Sequence, residues 1–475
     1  MLYVYDPKAL HHILVKDQYI YEESVDFIQT NDLTFGKGLL ATLVGEHHRK
    51  QRKLLNPVFS TAHLREMTPI FYEVAHKLRK TLTEQVSQGE KEIDMLSWMG
   101  RTALELIGQS GYGYSFDSLE EGAPEHPFAA GIKNLLGNIN DGGILVARMI
   151  VLPLVYGVGT PKFQRAVVNM LPWKALHDLR DMIDTIHNTS VEIVNKTKQA
   201  LTEGKAGSEQ RVGRGKDIMS ILIKANMEAS EEDRLPESEI IAQISTLTFA
   251  AMDTTSNALS RILHILSLHP EVQDRLRQEI REARSKAGGD LDYETLSSLP
   301  YMDAVCRETL RMYFVAHATP LYHSAKRDMI LPVSTPVTTL DGKTVDELFV
   351  PKGTKMFVSL LHCNTDPEIW GPDASEWKPE RWLSPLPDTV AEARVPGIYS
   401  HMMTFLGGGR ACIGFKFSQL EMKVVLSLLL DNFKFAPSEQ KIIWRWNGIV
   451  QPTTEQAQSP NGDKKLQMPL KVSLA

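Results

Sequence analysis

Apolar residues recur at helical spacing along most of this chain. The longest such run covers about 236–268 and is ended by His269-Pro270. Within it Leu247, Ala250, Ala251, Thr254 and Ala258 fall on or near one face. Further helices are expected over about 7–15, 98–112, 173–201, 273–285 and 301–313, with a last one from Ile413 onward, where Phe417, Leu420, Val424 and Leu428 continue one stripe. Strand signals are sparse. They lie at 2–5, 329–332, 337–350 around an Asp341-Gly342 turn, 355–361, and in a final hairpin near 444–450. A strand so close to residue 1 needs a neighbour, and the late strands are its expected partners. The pattern predicts a mainly α fold with small β-sheets and a long central helix.

Between these elements, 21–44 reads as a glycine-punctuated loop, 118–127 as an acidic, proline-containing loop, and 203–216 as a basic surface loop. The apolar stretch 144–158, broken by Arg148 and Pro153, is either a core segment or an outward surface facing a membrane or a substrate entry. It is too short and too interrupted to cross a bilayer, and the start of the chain turns polar at once, so neither a transmembrane helix nor a signal peptide is expected.

Composition changes this picture little. With 43% hydrophobic and 23% charged residues the chain can bury a sizeable core. A net charge of −6 without a basic block argues against a nucleic-acid partner. Three cysteines, Cys306, Cys363 and Cys412, with no C-x-x-C pair, argue against a disulfide framework or a cysteine zinc site and fit a reducing compartment. The sequons at Asn188 and Asn195 fall within a helical pattern and read as chance.

Candidate chemistry concentrates in four places. Phe405-Leu-Gly-Gly-Gly-Arg-Ala-Cys-Ile-Gly414 delivers Cys412 to the start of a helix, where backbone N–H groups and the helix dipole favour a thiolate. Its glycines, among them Gly408 and Gly414, allow close approach to something flat and bulky, and Arg410 adds a fixed charge. In the central helix, Ala250-Ala-Met-Asp-Thr-Thr255 sets Asp253 and Thr254 in an apolar midsection. An unpartnered carboxylate there is costly, and an acid beside an alcohol suits proton delivery. Glu308-x-x-Arg311 is either a weak surface pair or a buried pair needing a third partner. The charged helix 45–53 is either a solvated face or one whose edge, His48 and Arg52, turns inward towards an anion.

The pattern F-x-x-G-x-R-x-C-x-G, met in full at 405–414, resembles the haem-binding loop of the haem-thiolate monooxygenases, the cytochrome P-450 family. Glu308, Arg311 and the Arg381 of Pro379-Glu-Arg-Trp382 are similar to that family's buried Glu-Arg-Arg cluster, and 250–255 resembles its oxygen-activating motif, with Ala251 where the family usually has glycine. The resemblance runs from about Tyr3 to the C-terminus and implies a single domain over 1–475, without the usual N-terminal membrane anchor and first strand. It implies haem b on the Cys412 thiolate, propionates bound by Arg52 and Arg410, contacts from His48 and His323, and proton relay by Asp253 and Thr254. It further implies O2 activation at thiolate-bound iron, with electrons from an NADPH-dependent reductase docking near Arg49, Lys50, Lys53 and Lys416. The overall style is similar to basidiomycete enzymes of secondary metabolism, which implies a small lipophilic substrate (a terpenoid or polyketide intermediate) and a place at the cytosolic face of the endoplasmic reticulum, or in the cytoplasm if the short N-terminus is genuine. The expected pocket is lined by 28–43, 144–158, Phe249, 315–322 and 448–450. A haem-dependent isomerase or dehydratase, and a non-catalytic haem or lipid binder, are the alternatives.

Overall fold

The structure, a computed structural model, describes residues 1–203, 216–313, 321–456 and 465–475. The basic loop at 203–216 and the pocket segment at 315–322 therefore lie, apart from their ends, outside the described residues.

The central helix spans Glu237–Leu268, within a residue of the sequence reading. It contains neither glycine nor proline, Glu237 and Glu239 in its first turn suit the positive end of its dipole, and Pro270 keeps His269 out of helical geometry. Several helices pack on it, among them three that matter for the site. Met95–Leu106 brings Gly100 so close that a Cβ there would lie 3.9 Å from the Met252 methyl. Lys174–Thr202 joins through a hydrogen bond between the Ser190 and Ser245 hydroxyls at 2.9 Å. Phe415–Asn432, the helix after Cys412, is the third. Its first turn starts at Phe415, so Ile413 belongs to the preceding loop and not to the helical stripe expected of it.

The ends of the chain meet in a four-stranded sheet. Leu2–Val4 runs parallel to Lys355–Val358, with Leu2 opposite Met356, and Leu321–Ala325 then leads to Tyr21–Glu23. Among the described residues, the other late strands, Met329–Thr338 and Thr344–Val350, pair only with each other around the Asp341-Gly342 turn. A three-stranded sheet joins Lys91–Asp94, Pro469–Leu474 and Phe433–Pro437. Ile442–Asn447 and Ile449–Thr454 form a hairpin that lies along the central helix.

One expectation needs correction and one open alternative is resolved. The stretch 21–44 is not all loop: it holds the strand Tyr21–Glu23 and the helix Val25–Phe35. That helix has a weak sequence signal because Gln29 to Asp32 is polar, and packing decides its state, with the Phe35 ring 5.0 Å from that of Phe249 on the central helix. The segment 144–158 resolves as outer surface and not core. Ile144 is buried, but Met149, Ile150 and Leu154 are exposed, and the exposed apolar surface continues to Phe163 and Met170 on the helix Pro161–Met170. No single helix among the described residues is long and apolar enough to cross a membrane.

Candidate active site

The cysteine loop is closed by the Cys412 N–H donating to the Phe405 carbonyl at 2.9 Å, with the buried Phe405 ring against Tyr399. Its glycines are required chiefly by protein. A Cβ at Gly407 would lie 2.0 Å from the Pro396 carbonyl oxygen, and one at Gly408 would lie 1.8 Å from that of Leu14, at a φ of +66°. The Gly409 N–H donates to Gln18 Oε1 at 2.8 Å. Only Gly414 has room, its nearest neighbour being Phe59 at 3.9 Å.

Cys306 and Cys363 are buried, their thiols pushed up to about 12 by burial, whereas Cys412 keeps accessible surface. The thiolate expected at a helix start is only partly supported here. Burial raises the Cys412 pKa and outweighs the two influences that lower it, the Gly414 backbone and Arg52. A metal bound there would deprotonate such a thiol outright, leaving the protein to supply its position.

Around the loop the fold gathers the predicted cations. His48 and Arg52 lie on the helix Glu46–Leu55, whose inner edge is indeed turned inward: His48 is buried, and Arg52 Nη1 donates to the Ala411 carbonyl at 2.7 Å. Burial, then Arg410 and Arg52, push the His48 pKa down to about 4, so its imidazole is neutral. Burial also lowers the Arg52 pKa, opposed by Cys412 and reinforced by Arg410. Arg410 is anchored by protein. Its guanidinium forms an ion pair with Glu23 and donates to the carbonyls of Leu39 at 2.8 Å and Thr42 at 2.7 Å, so much of its donor capacity is already spent on protein. Burial would raise the Glu23 carboxyl, but Arg410 and then His323 hold it below the usual carboxylate range. His323 is buried opposite Glu23 in the strand register. Glu23 thus links two predicted site residues, and its sequence context gave no sign of this.

On the central helix, Met252, Asp253 and 255–260 are buried, yet Thr254 between them is exposed. Its hydroxyl donates to the Ala250 carbonyl at 2.6 Å. An exposed threonine in the middle of a buried helix, with an exposed cysteine in the loop at 405–414, fits the lining of a bulky prosthetic group. Asp253 is buried. Burial raises its pKa to about 7, moderated by the Gln451 side chain, whose Nε2 lies 3.4 Å from Oδ1.

Glu308 and Arg311 form the buried alternative of the two sequence readings. Arg311 donates to both Glu308 oxygens at 2.9 and 2.7 Å and to the carbonyls of Asn364 and Ala374 at 3.0 and 2.6 Å. Arg381 Nε reaches Glu308 at 3.3 Å while Nη1 meets Asp373 at 2.7 Å. Trp382, not singled out in the sequence, donates its indole N–H to Glu308 at 2.9 Å. Every charge here is paired, as burial requires.

A helical fold with small sheets, a central helix carrying an acid–alcohol pair, a cysteine loop flanked by arginines and a closed Glu-Arg-Arg cluster define the class of the haem-thiolate oxygenases. The Cytochrome P450 family model matches residues 1–457, and the chain belongs to that family. It is 51% identical over 472 residues to cytochrome P450 monooxygenase 91 of Postia placenta, covering 99% of this chain and 84% of the relative. It is 44% identical over 458 residues to a ganoderic acid synthetase of Ganoderma lucidum, covering 96% of this chain and 83% of the relative. A cytochrome P450 monooxygenase of Hericium erinaceus is 38% identical, covering 100% of this chain and 85% of the relative. The protein is therefore a haem-thiolate monooxygenase, with haem b held by a cysteine thiolate, O2 as co-substrate and electrons supplied by a reductase.

Proposed function

We propose that Cys412 is the axial ligand and that the enzyme oxidises a small lipophilic substrate of fungal secondary metabolism, a terpenoid or polyketide intermediate. The carrying observation is that, of the three cysteines, only Cys412 is exposed, in the loop that leads into the helix Phe415–Asn432 packed on the central helix. The relative named for ganoderic acid synthesis supports the pathway class, and the apolar Phe35 and Phe249 pair supports a lipophilic substrate. Bound haem supplies oxygen activation and hydroxyl transfer to carbon.

The side chains supply the rest. Arg52 and neutral His48 present donors suited to propionate carboxylates, with His323 and Arg410 behind them through Glu23. Asp253 takes up and releases a proton near neutral pH, and Thr254, the next residue, offers an exposed side chain. The reductase docks on the face around the helix Glu46–Leu55. Here Arg49, Arg52 and Lys53 border a cavity of about 580 Å³. Arg49 also bonds the Tyr19 hydroxyl at 3.0 Å, Lys53 pairs with Asp233 at 3.0 Å, and Lys416 donates to Thr61 at 3.1 Å, so docking competes with existing surface contacts. The exposed apolar surface of Met149, Ile150, Leu154, Phe163 and Met170 makes peripheral contact with the endoplasmic reticulum membrane, close to where substrate enters. The chain folds as one domain around this site.

The test is expression in yeast with a fungal NADPH-dependent reductase, feeding terpenoid and polyketide panels under ¹⁸O2. A product carrying one labelled oxygen, lost in Cys412→Ala, supports the reading; turnover without NADPH overturns it.

A further inference from the structure

Asp253 has an unusual environment for an acid at the centre of a buried helix. Its Oδ1 faces the Gln451 amide at 3.4 Å, while Oδ2 is buried without a hydrogen-bond partner among the described residues. Asn257 donates its side-chain N–H to the Asp253 carbonyl at 2.7 Å and leaves the carboxyl alone. Among the described residues no charged side chain contributes to the Asp253 pKa, neither Arg261 and His264 further along its own helix nor any group from the elements packed against it. A buried carboxylate beside an arginine or lysine is locked in its charged form, whereas an amide steadies it only weakly.

Gln451 is itself buried, on the strand Ile449–Thr454, and its hairpin is fastened to the same helix elsewhere. The Trp444 indole N–H donates to His264 Nδ1 at 3.0 Å, and its ring lies 3.5 Å from the Arg261 guanidinium carbon. Burial and then Arg261 hold the His264 pKa down at about 4, so the imidazole stays neutral and can accept that bond. At the hairpin turn, Gly448 has φ +81°, and a Cβ there would meet Asn140 Nδ2 at 2.6 Å. The hairpin is thus gripped at its turn by the end of the helix Pro127–Ile139 and along its length by the central helix, with Gln451 between the two grips.

We infer that Gln451 is a positioning residue for Asp253: the hairpin holds its amide on one carboxyl oxygen so that the other is left for proton exchange. The inference rests on the reading of Asp253 as the proton-holding acid.

The experiment is a pH titration of the haem-loaded protein by difference infrared spectroscopy. It follows the protonated-carboxyl C=O band assigned to Asp253 by its absence in Asp253→Asn. The wild-type midpoint is expected at about 7. Gln451→Met keeps the shape and removes the donor, which disfavours the carboxylate, so the midpoint rises by about half a pH unit or more. Gln451→Glu, which keeps the length and polarity, also raises it by adding a like charge. An unmoved midpoint in whichever of these variants retains haem overturns the inference. If Asp253→Asn leaves product formation unchanged, the proton-relay reading fails instead, a result distinct from a stationary midpoint.

Discussion

Glu421 lies nine positions beyond Cys412, fully buried, with neither carboxyl oxygen hydrogen-bonded among the described residues; burial alone raises its pKa well above 4.5. An acid whose folded pKa exceeds its unfolded value binds more protons when folded. Its contribution is therefore fully present below about pH 4.5 and is lost as pH rises towards the folded value. Asp253 acts the same way between 3.8 and about 7. Glu421→Met should then melt above the wild type at pH 7, with the difference shrinking towards pH 5; a difference independent of pH would show that Glu421 is ionised or partnered in the fold. At this scale the motif residues were legible because their chemistry is local: a cysteine after three glycines, an acid before an alcohol. Glu23 and Gln451 were not. Their partners, Arg410 and Asp253, stand 387 and 198 residues away in sequence, and nothing around either residue marks it.

Among the elements, the Glu308 cluster joins the helix Pro300–Met312 to the 370–382 loop, with Arg381 and Trp382 reaching Glu308 from the loop and Arg311 donating to the Ala374 carbonyl. Glu308→Ala leaves Arg311 and Arg381 buried without their carboxylate, a loss of about 3–5 kcal/mol that denaturant unfolding should register. The cysteine loop offers a sharper comparison. Gly408→Ala drives a Cβ into the Leu14 carbonyl at a positive φ and should unfold or misplace the loop. Gly414→Ala meets no protein atom closer than 3.9 Å, so it should fold with wild-type stability while weakening haem binding. Equal haem affinity in Gly414→Ala would show that this glycine serves neither protein nor porphyrin. The central helix was legible almost to the residue because its periodicity is long and its proline stop explicit. The helix Val25–Phe35 was missed because its polar sequence carries little propensity and tertiary contact supplies the rest.

For the whole molecule, the sequence left 144–158 open between core and surface, since periodicity cannot say what lies against an apolar face. The fold turns most of it outward beside Phe163 and Met170. Ile150→Glu with Leu154→Glu should reduce sedimentation with phosphatidylcholine vesicles while leaving the haem spectrum unchanged; undiminished binding would place the membrane contact elsewhere. The proposed chemistry requires a sulfur at 412 to hold haem iron, and one measurement addresses this directly: the absorption of the reduced protein under carbon monoxide. The long-wavelength Soret band of a thiolate-bound complex is expected in the wild type and absent in Cys412→Ala. The shorter-wavelength band of a histidine-ligated haem in the wild type, or a thiolate band that survives in Cys412→Ala, would contradict it.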